Sequence, residues 1–268
     1  MKKEDVTKSM RWEIADRLAE ERLEHVNKLC KEVHFKETIY TKYVKRGMDI
    51  CFSALVLPII LPINLVIGVI TFFDMGRPIF FHQQRVGKNG KIFEIVKFRN
   101  LRNLYDRNGE LLPVPERMTK FGHFMRKSSL DELLNFWYVL KGDMSLIGPR
   151  PLVPEYEHRY NKRHKMRTAV RPGLECPSRE KVDGVRTWQY QLENDIWYVE
   201  NVSFLTDIKL AFRLVSFLFN RKNAEARAGF GKGVFMGYDW DGNAITLDDV
   251  PQEYMDYYDT HSVKKFVK

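Results

Sequence analysis

The most pronounced pattern along the chain is an apolar stretch between Asp49 and Asp74, where 24 consecutive residues carry no charge. A stretch of this length is sufficient to place one helix in the hydrocarbon region of a bilayer. It starts too far from Met1 for a cleaved signal peptide, so we expect it to persist in the mature protein. Residues 40–75 are therefore predicted to form a membrane-embedded helix.

Two prolines, Pro58 and Pro62, lie in the middle of this stretch. Proline removes a backbone donor and bends a helix, so a kink is predicted there. Basic residues stand close to both ends, and the excess of positive charge that normally marks the cytoplasmic side identifies neither end as external. A bent helix that enters and leaves by one face and a straight span are both compatible with this pattern.

A second pattern occupies residues 9–34, where apolar side chains recur at steps of three and four and predict one amphipathic helix. The residues on this apolar face are Trp12, Ala15, Ala19, Leu23, Val26, Cys30 and Val33. The face can pack on the rest of the chain or on a second copy, which would give a homo-oligomer. With fewer than four heptads, the repeat does not by itself predict a coiled coil.

Downstream of the apolar stretch the pattern becomes that of a small β-structure. Residues 79–83 and 91–98 are predicted to form two strands, joined by a tight hairpin turn at Asn89-Gly90. Residues 100–118 contain several turn-forming residues and are predicted to form a loop.

Two further helices are predicted in the second half of the chain. One begins near Ser129 and ends at Gly142, a typical C-cap. The other, over 203–221, combines a broad apolar face with basic residues, which is compatible with an interfacial helix and equally with burial. The elements together predict an α/β fold that is helix-rich with a small β-hairpin, membrane-associated through the kinked apolar helix and interfacial helices.

Composition adds information on partners. The 44 Lys and Arg residues against 35 Asp and Glu give a net charge of +9, which favours phospholipid, nucleic acid or phosphorylated substrates. No helix-turn-helix, zinc-finger or aromatic RNA-binding motif is present, so nucleic acid is not expected as a partner. The cysteines and histidines lack the spacing of a disulfide framework or a transition-metal site, whereas a hard cation held by carboxylates stays compatible.

Candidate chemistry centres on Ser129-Leu130-Asp131-Glu132, which has the S-x-x-E spacing of a capping box. In the structural interpretation, Ser129 and Glu132 satisfy free amides at the start of a helix. In the functional interpretation, the helix dipole keeps Asp131 ionised for attack on a phosphorus atom. Glu132 points in a different direction and is able to bind a cation or take part in proton transfer.

Phosphoryl chemistry also requires cations around the phosphates. Five candidates lie in loops or at the ends of predicted elements: Lys97, Arg99, Arg126, Arg150 and Arg171. Arg150 and Arg171 each stand next to a proline, which restricts the backbone that carries the charge. Taken singly, each of these cations is more typical of a solvated surface charge.

The order of the short motifs is more informative than any one of them. Read along the chain, GKNGK, KFRN, RKSSLDEL, LKGDMSLIGPRPL, RPG and YVEN make residues 40–222 resemble the bacterial sugar transferase family, the monotopic phosphoglycosyl transferases. The stretch from Ser129 to Leu152 is the most specific part. With this resemblance the chain divides into an N-terminal helical extension (1–39), the membrane helix (40–75), a catalytic domain (76–222) and an accessory tail (223–268).

In that family an Asp-Glu pair is catalytic, and it matches Asp131 and Glu132 here. The resemblance implies that Asp131 forms a covalent phosphosugar intermediate and that Glu132 contributes to binding Mg²⁺, a hard cation that prefers carboxylate and phosphate oxygen. It also implies that the five cations line a phosphate site. A nucleotide diphosphosugar, of UDP type, would be the donor, and undecaprenyl phosphate, a polyprenyl phosphate, the acceptor.

The resemblance further implies a location in the bacterial cytoplasmic (inner) membrane, with the catalytic domain facing the cytoplasm, where the transfer initiates cell-surface glycan synthesis. The membrane helix of the family is re-entrant and breaks at a Ser-Pro pair, whose proline corresponds to Pro62. Leu61 stands in place of the serine. The resemblance therefore favours re-entrance over a straight span.

Several positions depart from the family pattern. Residues 100–101 read Asn-Leu where Thr-Met is usual, and residues 134–136 read Leu-Asn-Phe where Pro-Gln-Leu is usual. Residues 174–177 read Leu-Glu-Cys-Pro where the family commonly continues with Thr-Gly, so the transferred sugar is not predicted. A family member that has lost activity and serves as a scaffold, and a membrane-tethered protein that binds anionic partners, are the alternative interpretations.

Overall fold

The computed structural model describes residues 2–3, 6–107, 109, 111–180, 186–219 and 233–262. Its helices in chain order are α1 (Lys8–Leu29), α2 (Lys45–Met75), α3 (Val114–Arg117), α4 (Lys120–Ser128), α5 (Asn135–Lys141), α6 (Lys162–Lys165), α7 (Trp188–Asn201), α8 (Phe204–Phe219) and α9 (Gln252–Ser262). Over these described residues the strands pair as β1 (Phe80–Val86) with β2 (Ile92–Phe98), β3 (Ser145–Ile147) with β4 (Gly173–Glu175), and β5 (Gly237–Tyr238) with β6 (Ala244–Ile245). The predicted helix-rich α/β class is confirmed.

The apolar stretch forms one long helix, in which a π-helical turn over Tyr40–Val44 leads directly into α2. The combined helix has 36 residues and is mostly exposed, so it is long and apolar enough to span or anchor in a membrane. It continues through Pro58 and Pro62, and neither proline ends it. The predicted kink stays a prediction.

Both ends of α2 contact the soluble part of the chain. Near the start, Arg46 donates hydrogen bonds of 2.6 and 2.7 Å to the carbonyls of Val139 and Leu140. Near the end, Ile67 packs in an apolar cluster with Phe98. The rest of the chain therefore holds the apolar helix near its start and in its second half.

The predicted hairpin is confirmed, with β1 and β2 antiparallel and Val86 opposite Ile92. The turn between them uses positive φ at Asn89 (56°) and Gly90 (77°), the conformation that an Asn-Gly pair adopts readily. The N–H of Val86 donates to the carbonyl of Leu152 at 2.9 Å. This bond brings the loop that follows β3 against the end of β1.

The single helix predicted from Ser129 to Gly142 is wrong. Ser129 has φ 58° and ends α4 in the left-handed region, and a 3-10 turn over Leu130–Glu132 separates it from α5. The capping-box prediction is also wrong, because the Ser129 side chain makes no capping hydrogen bond. A left-handed residue redirects the chain, so the two acidic residues leave the helix and occupy a turn of their own.

Helix α1 spans fewer residues than the predicted 9–34, and its apolar face packs within the chain. Ala15 of the predicted face lies in a buried cluster with Met236 and Met255 from the C-terminal segment, and Val26 lies in a second cluster with Phe235. Of the two alternatives for the face, the structure shows packing on its own chain, whereas oligomerisation stays a prediction. The extension and the described part of the tail, 233–262, form one packed unit, while residues 223–232 lie outside the described residues.

Helix α8 matches the predicted helix at 203–221 as far as it is described. Leu205 and Phe212 on its outer side are 77% and 74% exposed, whereas Leu210 is fully buried. Asp207 attaches α8 to the start of α2, since it accepts a hydrogen bond from Lys45 at 2.6 Å. One side of α8 is therefore buried against the rest of the chain, and the opposite side exposes apolar side chains.

Candidate active site

The acidic dyad, Asp131 and Glu132, lies in the 3-10 turn between α4 and α5. Three other segments converge on this turn: the end of β2 with Lys97, the loop after β2 with Asn100, and the loop after β3 with Arg150. These segments are 18 to 35 residues away in the chain. The site is therefore assembled by tertiary packing around the dyad.

Glu132 is the hub of an ion-pair network. Its Oε1 accepts a hydrogen bond of 2.6 Å from Lys97 Nζ and a second, short one from Arg150. Burial acts to raise the pKa of Glu132, but the charges and hydrogen bonds of Arg150 and Lys97 outweigh it and lower that pKa to about 2. Glu132 is consequently ionised throughout the physiological range.

Asp131 behaves differently although it is the next residue. Burial, and then the negative charge of Glu132, raise the pKa of Asp131 to about 6, against the opposing effects of Lys97 and of a 2.8 Å hydrogen bond from Asn100. The expectation that a helix dipole keeps Asp131 ionised is not met, because the dyad does not start a helix. Two adjacent carboxylates with separated pKa values are typical of a catalytic pair.

Arg150 is shared between two carboxylates. Beside Glu132 it also faces Glu175, at 3.6 Å, and Glu175 in turn faces Arg186 at 3.4 Å. The charge of Glu132 is the main reason that the pKa of Arg150 is raised. Glu175 belongs to the segment that departs from the family pattern, so the departure places an additional carboxylate beside the site.

The loop that carries Arg150 is itself held by a buried ion pair. Arg167 donates to the carbonyl of Arg150 at 2.7 Å and forms a salt bridge of 2.7 Å with Asp195 of α7. Both partners of that salt bridge are almost fully buried. Removing Arg167 or Asp195 would leave the other charge buried without its partner, which is strongly unfavourable. The ion pair therefore stabilises the loop that carries Arg150.

Arg85 is a cation of the site that the sequence analysis missed. It lies near the end of β1, where its guanidinium donates to Gln83 and to the carbonyl of Pro151 at 2.5 and 3.3 Å. Burial, and then the positive charge of Arg150, lower the pKa of Arg85 to about 10. Within the described residues it forms no salt bridge with a carboxylate.

The strand pattern contained the signal for Arg85. Phe81 pairs with Lys97 across the hairpin, so the two side chains share one face. Arg85 is four residues after Phe81 and, by the two-residue repeat of a strand, lies on that same face. Placing Lys97 in a phosphate site therefore predicts Arg85 there as well.

Two of the other predicted cations, Arg99 and Arg171, bind backbone carbonyls outside the dyad. Arg99 is buried and donates to the carbonyls of Met75, Pro78 and Leu101 at 2.6, 2.8 and 3.1 Å, so it secures the end of α2 rather than facing the dyad. Arg171 donates to the carbonyl of Gly142 at 3.1 Å.

Arg126 lies in the last turn of α4, three residues before Ser129. Of the five predicted cations, the structure places Lys97 and Arg150 in contact with the dyad through hydrogen bonds to Glu132.

The dyad fits the chemistry of a magnesium site in part. Magnesium is commonly held by one or two carboxylates together with substrate phosphates. Both described hydrogen bonds to Glu132 go to Oε1, which leaves Oε2 available as a ligand. Within the described residues no group of three or more His, Cys, Asp or Glu side chains is placed to hold a metal ion. The residues therefore suit a cation that the substrate helps to bind.

An acidic dyad with one buried and one partly buried carboxylate, surrounded by cations and next to an apolar helix, is the arrangement expected of a membrane-associated enzyme of phosphate chemistry. A family model described as bacterial sugar transferase matches residues 40–221. The chain belongs to this family, and the resemblance seen in its motifs is confirmed. Its enzyme class is that of the phosphoglycosyl transferases.

Individual relatives agree with this assignment. The chain is 38% identical to an uncharacterized sugar transferase EpsL of Bacillus subtilis, over 62% of this chain and 83% of the relative. It is 32% identical to a UDP-N-acetylgalactosamine-undecaprenyl-phosphate N-acetylgalactosaminephosphotransferase of Aeromonas hydrophila, over 65% of this chain and 43% of the relative. It is 31% identical to a UDP-glucose:undecaprenyl-phosphate glucose-1-phosphate transferase of Escherichia coli, over 65% of this chain and 40% of the relative. The chain thus spans less than half the length of the latter two.

Proposed function

We propose that this protein transfers a sugar 1-phosphate from a UDP-sugar to undecaprenyl phosphate, giving undecaprenyl-diphospho-sugar and UMP. The observation that carries the proposal is the contrast between the two carboxylates of the dyad. Glu132 is neutralised by Lys97 and Arg150. Asp131 forms a described side-chain hydrogen bond with Asn100, which is uncharged. The names of the relatives from Aeromonas hydrophila and Escherichia coli support the substrate classes.

In the proposed first step, a carboxylate oxygen of Asp131 attacks the phosphorus that carries the sugar. A new P–O bond forms to Asp131 while the bond to the bridging oxygen breaks, and the electron pair leaves with UMP. In the second step, an oxygen of undecaprenyl phosphate attacks the same phosphorus and releases Asp131 unchanged. A raised pKa is compatible with this role, since the side chain is still mainly ionised at pH 7.

The surrounding cations stabilise the charge of the donor. Lys97 and Arg150 are held by Glu132, and Arg85 provides a further positive charge close to Arg150. Cations fixed in this way lower the energy of a phosphoryl transition state without having to reorganise. Glu132 would contribute to holding magnesium, which would supply additional charge neutralisation for the diphosphate.

The proposal includes re-entrance of α2. Val139, whose carbonyl binds Arg46 at the start of α2, packs with Ile95, whereas Ile67 packs with Phe98. Ile95 and Phe98 lie about 10 Å apart along β2, so both contacts are made around one short strand. The part of α2 between Arg46 and Ile67 would extend about 30 Å if it were straight. A bend at the prolines would bring both ends to one side of the membrane, which we assign to the cytoplasmic face of the inner membrane.

The test is UMP release by the purified protein from a panel of UDP-sugars, with undecaprenyl phosphate and magnesium. We expect one or a few sugars to give release that depends on the lipid, and we expect Asp131→Asn to abolish it. Asp248→Asn, at an exposed turn outside the family region, is the matched control and should keep full activity. Full activity of Asp131→Asn would refute the assignment of Asp131 as the nucleophile. If the wild type released no UMP from any sugar of the panel, the interpretation as a scaffold protein without activity would be favoured.

A further inference from the structure

Asn100 makes the one described side-chain hydrogen bond to the candidate nucleophile. Its Nδ2 donates to Oδ2 of Asp131 at 2.8 Å. An amide nitrogen donates only, so this bond selects an acceptor oxygen and cannot be reversed by rotation of a hydroxyl. The residue thus acts on one specific oxygen of the dyad.

The backbone of Asn100 is fixed from two sides. Immediately before it, Arg99 donates to three carbonyls around the end of α2. On the other side, α4 approaches so closely at Gly122 that an added Cβ there would overlap the carbonyl oxygen of Asn100. Thr119 caps α4 by accepting a hydrogen bond from the Gly122 N–H at 2.8 Å, which fixes this first turn. The amide is therefore presented from a rigid support.

We propose that Asn100 is a positioning residue for the reaction: by holding Oδ2 of Asp131 it leaves Oδ1 as the atom that attacks phosphorus. This inference rests on the proposed function, because it requires Asp131 to be the nucleophile. In the attack, Oδ1 forms the new bond to phosphorus as the bond to UMP breaks, while Oδ2 becomes the carbonyl oxygen of the acyl phosphate. The Asn100 amide stays bonded to Oδ2 throughout.

The charged groups around Asp131 do not provide the same orientation. Lys97 and Arg150 are both engaged by Oε1 of Glu132. They stabilise charge in the site but are not described in contact with the Asp131 carboxylate. Asp131 also has a hydrogen bond from its own backbone N–H, which is too local to fix the direction of the carboxylate relative to the rest of the site. Loss of the Asn100 amide would therefore leave Asp131 with its charge environment and without the side-chain donor that holds Oδ2.

The inference is tested by comparing Asn100→Ala, Asn100→Thr and Asn100→Gln in the UMP-release assay, with Asp131→Asn and the wild type in the same series. Asn100→Ala should lower kcat by about 10- to 100-fold, because a misplaced reacting group costs about this much, while the KM for the UDP-sugar changes less than about threefold. Asn100→Thr, which restores a donor, should recover most of the loss. Asn100→Gln keeps the amide but displaces it, and should resemble alanine.

The outcomes separate the two proposals. A wild type that releases UMP, an inactive Asp131→Asn and a fully active Asn100→Ala would overturn the positioning role and leave the proposed function intact. A raised KM with unchanged kcat would also overturn it, since the residue would then bind substrate. If Asn100→Ala does not fold, Asn100→Gln decides: unchanged kcat overturns the role, and lowered kcat at unchanged melting temperature supports it. No release by the wild type overturns both proposals.

Discussion

At the scale of single residues, the dyad illustrates how neighbours in sequence acquire different chemistry. Glu132 is neutralised by cations from two other segments, and its pKa is lowered to about 2. Asp131 has the amide of Asn100 as its described side-chain partner, and its pKa is raised to about 6. Ionised Asp131 is therefore an unfavourable charge that the fold tolerates.

This tolerance predicts that Asp131→Asn is more stable than the wild type at pH 7. A rise of the pKa from an ordinary value near 3.8 to about 6 corresponds to a cost of up to about 3 kcal/mol when the group is ionised in the fold. Above about pH 6 the wild type bears nearly all of this cost, between pH 6 and 4 the cost decreases, and below about pH 4 it is absent because the carboxyl is neutral in both the folded and the unfolded protein. Asparagine bears no such cost at any pH.

The measurement is thermal unfolding of both proteins in detergent at pH 7 and pH 4. We expect a higher melting temperature for Asp131→Asn at pH 7 and a difference that shrinks toward pH 4. A variant that is less stable than the wild type at pH 7 would contradict the assigned charge state of Asp131.

At the scale of elements, the left-handed Ser129 determines where the dyad points. A β-branched residue adopts this conformation at a cost of about 1–2 kcal/mol, whereas glycine adopts it freely. We therefore predict that Ser129→Val lowers both stability and UMP release, because the 3-10 turn would be displaced. Ser129→Gly, the matched control, should retain both properties; equal behaviour of the two variants would show that the backbone conformation is unimportant.

A second prediction at this scale concerns the outer face of α8. Leu205 and Phe212 are largely exposed, so replacing both by serine should leave the melting temperature nearly unchanged and reduce the contact of α8 with lipid. Leu210→Ser is the contrasting control, because this residue is fully buried and its loss should cost about 3 kcal/mol of folding free energy. Because α2 is expected to keep the protein on vesicles by itself, lipid contact is measured as quenching of a fluorophore on the outer side of α8 by brominated lipid, and stability by thermal unfolding. Quenching that is unchanged in the double variant would refute an interfacial α8.

At the scale of the whole molecule, the described residues on either side of the family region share a core with it. Phe235, from the C-terminal segment, is fully buried in a cluster with Tyr156 and Trp188, which belong to the family region. Val26 of α1 joins the same cluster. The described parts of the two extensions therefore pack against the family region.

This packing predicts that Phe235→Ala destabilises the protein by about 3–5 kcal/mol, as expected for a large aromatic side chain removed from a core. Tyr257→Ala, also in the C-terminal segment but with an exposed ring, should cost less than about 1 kcal/mol. Thermal unfolding followed together with UMP release is the measurement. Loss of structure in the extensions at unchanged stability of the catalytic domain would show that the two parts fold separately.

Several features of the molecule followed from the sequence alone. The apolar helix, the hairpin with its Asn89-Gly90 turn, and α8 all formed close to where their patterns predicted them. Hydrophobic repeats and turn residues are local signals, because they depend on neighbours a few residues away. The motif order likewise identified the family, since a motif is read without any knowledge of packing.

Tertiary structure alone decided the environment of the candidate site. The partners of Glu132 are Lys97 and Arg150, which are 35 and 18 residues away in the chain. No local sequence pattern predicts which cation forms an ion pair with a given carboxylate. Arg99 looked equally suitable in sequence, yet the end of α2 binds it through backbone carbonyls. Charge pairing and burial depend on contacts between distant segments, and these same contacts set the pKa values on which the proposed chemistry rests.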